Sequence, residues 1–287
     1  MHISNLLRQK DTTLSCEVFP PKENSAYDSV IDAVDQIARL RPDFMSVTYG
    51  AGGGTSKNTV AIASHLQNTL GCTALAHLTC VASTRAQIHE LLEQLKANGI
   101  ENILALRGDY PAGDTPLPQA YAHANDLIAE IHRYGGFCIG GACYPEGHPE
   151  NPSLEDDIER LKMKEDAGCQ FLISQLYFDN DILYRYLDKL QKRGIHLPVI
   201  AGLMPVQNAK QVARMCRLSG ASISPKFQRM MDKYGDNPAA LAQAGIAYVT
   251  DQIVDLYANG VRGLHIYTMN KPEVAKAILQ NISAFTK

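Results

Sequence analysis

Apolar residues fall along this chain in two alternating rhythms: short, near-continuous runs and longer stretches with helical spacing. The short runs are SCEVFP (15–20), DFMSVTYG (43–50), TALAHLTC (73–80), NILALRGD (102–109), FCIGGACYP (137–145), FLISQLYFD (171–179), PVIAGLMPV (198–206) and GLHIYTMN (263–270). Runs of this kind, bounded by Gly, Pro, Asp or Asn, are what strands buried on both faces require. Between them Val30, Val34, Ile37 and Leu40, and then Ile88, Leu91, Leu92 and Leu95, recur along one helical face. Gly99, Gly168, Gly194 and Gly260 stand ahead of strands, where a left-handed helix cap is expected.

Strand then helix, eight times over, predicts parallel strands joined by right-handed crossovers. An open doubly wound sheet competes with a closed (β/α)8 TIM barrel. The count of eight, and the lack of Gly-x-Gly-x-x-Gly after the first strand, favour the barrel. Residues 207–262 are too many for one helix. They predict a helix at 208–218, an irregular segment PKFQRMMDKYGDNP (225–238) and a long helix at 239–258, so one helix is inserted between strands seven and eight. No linker, low-complexity tract or further repeat divides residues 1–287, which read as a single α/β domain.

Composition narrows the classes. A chain of 287 residues with 45% hydrophobic and 20% charged residues suits one soluble barrel, which typically takes ~250 residues. A net charge of −3, with both signs interspersed, argues against nucleic acid as a partner. No apolar run reaches the ~18 residues of a membrane span, and MHISNLLRQKDTT lacks the pattern of a signal peptide, so the cytoplasm is the expected compartment. The seven cysteines are scattered, without Cys-x-x-Cys, and read as small buried hydrophobes; no metal site is expected.

Catalytic groups of such barrels gather at the C-terminal ends of the strands and in the loops that follow. The polar residues there are Glu17, Thr48, Tyr49, His77, Arg107, Gly108, Asp109, Tyr144, Glu146, His148, Gln175, His265, Tyr267 and Asn270. So many ionisable groups on one rim favour an enzyme over a scaffold. Glu17 sits in an apolar strand, where partial desolvation suits a carboxyl to donate a proton; a buried ion pair with Arg or Lys is the alternative. In ALRGDYP, Gly108 would let backbone approach a ligand between the opposite charges of Arg107 and Asp109, unless the three form only a strand-end ion pair and turn. GAGGGTSK (50–57) is not a phosphate loop, because Thr55 and Ser56 separate the last glycine from Lys57; a strand-to-helix loop with Thr55 or Ser56 as cap fits better. CYPEGHPE around His148 reads as a rigid wall built from prolines and a glycine. A Schiff-base lyase would want a lysine at a strand end, and none is there.

The segments CEVFPPK (16–22), SVTYGAGG (46–53), AHLTC (76–80), LALRGD (104–109), YPEGHPE (144–150), DAGCQFLISQLYFD (166–179), GLMPV (202–206) and HIYTMN (265–270) together resemble the catalytic domain of methylenetetrahydrofolate reductases, in the family's order from end to end. The resemblance implies FAD at the barrel mouth, contacted by Thr48, Tyr49, Ala51, His77, Arg107, Gly108, Asp109, Ala124, Tyr144, His148, Asp157 and Lys164. It implies that Arg107 and Lys164 neutralise the pyrophosphate and that Asp157 accepts from a ribose hydroxyl. Folate would be bound by Glu17, Asp109, Gln175, Gln211 and Lys271. NADH or NADPH would reduce the flavin, and 5,10-methylenetetrahydrofolate would then be reduced to 5-methyltetrahydrofolate for methionine synthesis. Glu17 would protonate the departing nitrogen, and Asp109 would set the charge between flavin and pterin. Lys271 stands where relatives carry arginine, and Arg160 and Met163 depart from the family at positions expected to touch the cofactor. The chain corresponds to the short bacterial type. A homo-oligomer is expected, and a partner iron–sulfur subunit is an alternative source of electrons.

Overall fold

The structure is a computed structural model that describes residues 1–21, 26–49, 56–110, 118 and 120–285. Eight parallel strands close on themselves in chain order: β1 Thr13–Val18, β2 Phe44–Val47, β3 Ala74–Thr79, β4 Asn102–Leu106, β5 Cys138–Cys143, β6 Phe171–Ser174, β7 Val199–Leu203 and β8 Gly263–Tyr267. The closing pair sets Ser15 beside His265 and Glu17 beside Tyr267. The expected barrel is therefore the observed one. The strands are shorter than the apolar runs at their C-terminal ends. Thr48 and Tyr49, Arg107 to Asp109, and Tyr144 and Pro145 leave the sheet to build the rim.

The helices are α1 Ile3–Gln9, α2 Tyr27–Ala38, α3 Ser56–Ser64, α4 Arg85–Ala97, α5 Ala124–Tyr134, α6 Leu154–Asp166, α7 Asn180–Lys192, α8 Ala209–Ser219, α9 Pro225–Tyr234, α10 Pro238–Ala258 and α11 Pro272–Asn281, with one π-helical turn, His65–Thr69, continuing α3. The apolar stripes read from sequence face the barrel: Val30, Val34 and Ile37 of α2 and Ile88, Leu92 and Leu95 of α4 are buried. Gly99, Gly168, Gly194 and Gly260 all have positive φ, as helix stops require.

Two features correct the sequence reading. The segment at 225–238 is not irregular: α9 occupies most of it, so three helices separate β7 from β8. Its two prolines mislead, since both are first helical residues, where a missing N–H costs nothing. Ser224 and Asn237 cap the two helices from the preceding position. Phe227 and Met231 of α9 then bury against Phe178, Met204 and Val206. The N-terminus also forms an unpredicted helix. Ile3 and Leu6 of α1 plug the bottom of the barrel against Phe44, Leu75, Leu104, Cys138, Phe171 and Ile200, and Asn102 fastens the plug by accepting from the Ile3 N–H. The lower half of the interior is thus filled mainly by apolar side chains, with Asn102 as a bonded polar group among them.

All seven cysteines are free, and six are buried. Burial pushes the Cys16 and Cys143 thiols up to about 12, as inert core residues.

Candidate active site

Above the apolar plug, the inward positions of β1, β2, β3 and β8 turn polar. Ser15 and Glu17 alternate on the inner face of β1, Ser46 follows on β2, His77 on β3, and His265 on β8. Glu17 is the outermost of these. Its side chain keeps 19% of its exposure, so it is screened from bulk water but open to the mouth. Oε2 lies 3.7 Å from Nε2 of both His77 and His265. Among the described residues no Arg or Lys pairs with it. The Glu17 carbonyl accepts from Thr268 Oγ1 at 2.6 Å, which fixes the backbone beneath the acid.

His77 is buried, and desolvation pushes its ring down to about 4, against the pull of Glu17; His265 adds to the lowering. It is therefore neutral at physiological pH, and its Nε2 has no hydrogen-bond partner among the described residues.

At the end of β4 the Arg107-Gly108-Asp109 triplet separates into three roles. Arg107 forks onto Glu150 at 2.5 and 2.9 Å, stacks over Tyr110 at 4.9 Å, and has its proton held more firmly by the Glu150 bond. Gly108 is required by the chain itself: φ is +84°, and a Cβ would lie 2.9 Å from the Thr79 Cβ. Thr79 therefore approaches this glycine closely from β3. Asp109 is exposed and, among the described residues, makes no hydrogen bond or ion pair, leaving a bare carboxylate at the mouth.

The loop after β5 supplies a second wall. Tyr144 packs edge-on against His148, with centroids 4.7 Å apart, and its phenol is pushed up to about 12, first by burial and then by Asp157 and Asp109. His148 accepts the Glu150 N–H on Nδ1, which puts its hydrogen on Nε2; burial and then Arg107 lower its proton affinity. Asp157 lies in the first turn of α6. Its Oδ1 accepts from Asn151 at 2.5 Å, its buried Oδ2 makes no hydrogen bond of good geometry among the described residues, and burial raises its carboxyl, against the pull of Lys164. Lys164 is half-buried; its ammonium donates to the Ala142 carbonyl at 2.7 Å, and burial weakens its hold on the proton. Glu146, a rim candidate, instead ties down the distant chain by accepting the Ser222 N–H on both oxygens at 3.0 Å.

The remaining expected residues divide in the same way. Thr48 is half-buried, with its N–H on the Val18 carbonyl; Tyr49 packs on the barrel core; Ala124 opens α5. Ala51 lies outside the described residues, as do Thr55 and the rest of 50–55. Gln175 folds its Oε1 onto the Leu176 N–H, and its amide donors make no hydrogen bond among the described residues. Gln211 and Lys271 come together around a small cavity of about 20 Å³ with Met204, Gln207 and Met269, and the Lys271 ammonium binds Gln207 Oε1. Arg160 and Met163 are both exposed on α6. Asn270 is engaged by the chain itself: it donates to the Phe19 carbonyl at 2.8 Å and accepts from the Phe19 N–H at 3.0 Å, joining the ends of β8 and β1. Sequence reasoning missed Ser15, Ser46 and Glu150. Ser15 had one usable signal, since it sits two residues from Glu17 and so shares its face.

These groups define a (β/α)8 barrel with a polar inner layer, an interior acid and an ionisable rim, the anatomy of a barrel enzyme. The chain belongs to the methylenetetrahydrofolate reductase family, whose sequence model matches residues 2–283. It is 33% identical to the 5,10-methylenetetrahydrofolate reductase of Escherichia coli (strain K12) over 274 residues, covering 96% of this chain and 92% of that one. It is 34% identical to methylenetetrahydrofolate reductase (NADH) 1 of Arabidopsis thaliana over 294 residues, covering 98% of this chain and 50% of that one. The chain thus spans about half the length of the plant relatives it matches. Among solved structures, an uncharacterized protein from Clostridium thermocellum that binds two copies of 5-methyl-5,6,7,8-tetrahydrofolic acid shares the fold, with a TM-score of 0.64 at 14% identity over 99% of this chain and 100% of that one.

Proposed function

We propose that this protein reduces 5,10-methylenetetrahydrofolate to 5-methyltetrahydrofolate with electrons from NADH or NADPH, using FAD held at the barrel mouth, and so feeds methionine synthesis. Family membership supports the reaction, and the plant relatives' names specify NADH. The observation that carries it is Glu17: a carboxyl on the inner face of β1, open only to the mouth, between two imidazoles and without a cationic partner among the described residues. That is where a proton donor to a bound ring nitrogen is needed.

The mouth suits FAD. The buried Oδ2 of Asp157, without a well-aligned donor among the described residues, is an acceptor with capacity for a hydroxyl, and Arg107 is a planar cation whose carboxylate partner, Glu150, is itself half exposed. Thr48, Tyr49, His77, Gly108, Ala124, Tyr144, His148 and Lys164 would complete its surroundings. When bound, FAD supplies the two-electron chemistry between nicotinamide and folate. The chain's own residues manage protons and charge. Glu17 protonates the folate nitrogen that departs as the five-membered ring opens. Asp109, bare at the mouth, favours the cationic carbon centre that results. The free amide donors of Gln175 would read the pterin, and Gln211 and Lys271 the folate tail.

The absorption spectrum of the purified protein tests this reading. Flavin bands that bleach anaerobically with NADH are expected. A colourless protein that takes up no added FAD would overturn it, and bleaching only with an iron–sulfur partner would move the electron source to that subunit.

A further inference from the structure

His265 lies beneath Glu17 and is fully buried. Its ring stacks on Phe44, 6.1 Å between centroids, and Tyr267 meets it edge-on at 5.4 Å. The two ring nitrogens have unlike partners. Nδ1 is 2.7 Å from Ser15 Oγ, and that hydroxyl already donates its proton to the Leu264 carbonyl at 2.9 Å. A hydroxyl has one proton to give. The Ser15 oxygen therefore accepts from His265, and the ring hydrogen sits on Nδ1. The neutral ring then turns a bare Nε2 toward Ser46 Oγ, at 3.2 Å, and toward Glu17 Oε2, at 3.7 Å.

The other titratable groups facing Glu17 are less able to serve it. His77 reaches the same oxygen from β3, but no hydrogen bond fixes its Nε2. Tyr267 has already given its hydroxyl proton to the Ser174 carbonyl at 2.7 Å. Below His265 lie Phe44 and the apolar layer that α1 plugs.

We propose that Ser15 and His265 are a positioning pair for the Glu17 proton: Ser15 fixes the tautomer, and the bare Nε2 of His265 holds the carboxyl O–H until it is delivered. Oε2 needs to move only ~0.5–1 Å to bring this contact into hydrogen-bond range. In the step itself the Glu17 O–H bond breaks and an N–H bond forms on the departing folate nitrogen. The carboxylate remains, and Nε2 keeps only the Ser46 hydroxyl as donor. Solvent returns the proton through the mouth, and nothing in this step is oxidised or reduced. The role in ring opening rests on the proposed reaction; the tautomer and its coupling to Glu17 do not.

Imidazole ¹⁵N NMR of the full-length, histidine-labelled protein reads the tautomer directly, with or without cofactor. The expected result is His265 protonated at Nδ1 and bare at Nε2, with the Nε2 signal shifted by Glu17→Gln and the tautomers mixed by Ser15→Ala. A wild-type ring protonated at Nε2, or an Nε2 signal indifferent to Glu17→Gln, overturns the pair. In kinetics, Ser15→Ala and His265→Gln should slow the folate half-reaction about ten-fold, the worth of one net hydrogen bond, and alter its pH profile while sparing the nicotinamide half-reaction. Ser15→Thr, which keeps the hydroxyl, should restore it. Equal slowing of both half-reactions overturns the assignment. Where a variant does not fold, the wild-type tautomer decides. A protein without flavin chemistry that still shows this tautomer and coupling overturns the proposed reaction and leaves the pair standing.

Discussion

At the scale of single residues, the site separates two carboxylates by their surroundings. Glu17 is enclosed on β1 between imidazoles, and Asp109 stands in solvent after β4. Glu17→Gln keeps the shape but has no proton to give. In the proposed reaction it should leave reduction of FAD by nicotinamide intact and slow folate reduction by ~10²–10⁴, as loss of a positioned acid does. Stopped-flow absorbance resolves the two half-reactions, and equal losses would remove Glu17 from the acid role. His77 makes a second prediction, on stability. Its folded value of about 4 lies below the ordinary 6.5, so between those values the unfolded chain binds more protons. Stability must therefore fall as pH drops from 6.5 toward 4, by up to about 3 kcal/mol, and level off below. Urea titrations across that window should show a shallower decline for His77→Gln; an identical decline would locate the acid sensitivity elsewhere. Both carboxylates were legible in the sequence because strand-end position alone marks them. Ser15 and Ser46 were not, since a serine within a strand looks the same whether it orients an imidazole or merely satisfies itself.

At the scale of elements, strand order and helix faces were readable because burial on both sides of a parallel strand leaves an unbroken apolar run. What failed was local punctuation. Pro225 and Pro238 suggest a loop when each in fact starts a helix, and α1 shows only two buried apolar residues, too few to reveal a period. Asn270 misled in the opposite sense. A polar residue at a strand end resembles a ligand contact, yet here it closes the seam between β8 and β1 with two bonds to Phe19, from a left-handed conformation at φ 54°. Asn270→Ala should cost about 2–4 kcal/mol, from two backbone groups left unpaired and a Cβ residue held at positive φ. Asn270→Gly, which accepts the φ but lacks the amide, should recover only the conformational share. Denaturant midpoints of the two variants and the wild type give the split, and a glycine variant as stable as the wild type would mean that the seam does not depend on the amide bonds.

At the scale of the whole molecule, closure of the sheet makes the site one-sided. The barrel is plugged from below by α1, whose Ile3 and Leu6 pack on the apolar layer beneath the polar interior. Ile3 is fully buried in that plug and touches the layer that includes Phe44, on which His265 rests. Ile3→Ala should lower stability by about 2–5 kcal/mol, the transfer free energy of the lost carbons plus the cavity they leave. Because the plug lies far below the mouth, the variant should still bind the FAD proposed there. A ligand that binds only the folded state adds RT ln(1 + [L]/Kd), about 2.7 kcal/mol at one hundred times Kd, so saturating FAD should return much of the lost melting temperature. The same FAD should raise the melting temperature of the wild type by a comparable free energy. Stabilisation of the wild type but not of Ile3→Ala would show that the plug and the mouth are coupled through the stacked Phe44 and His265, and that the barrel's lower layer helps to shape the upper one.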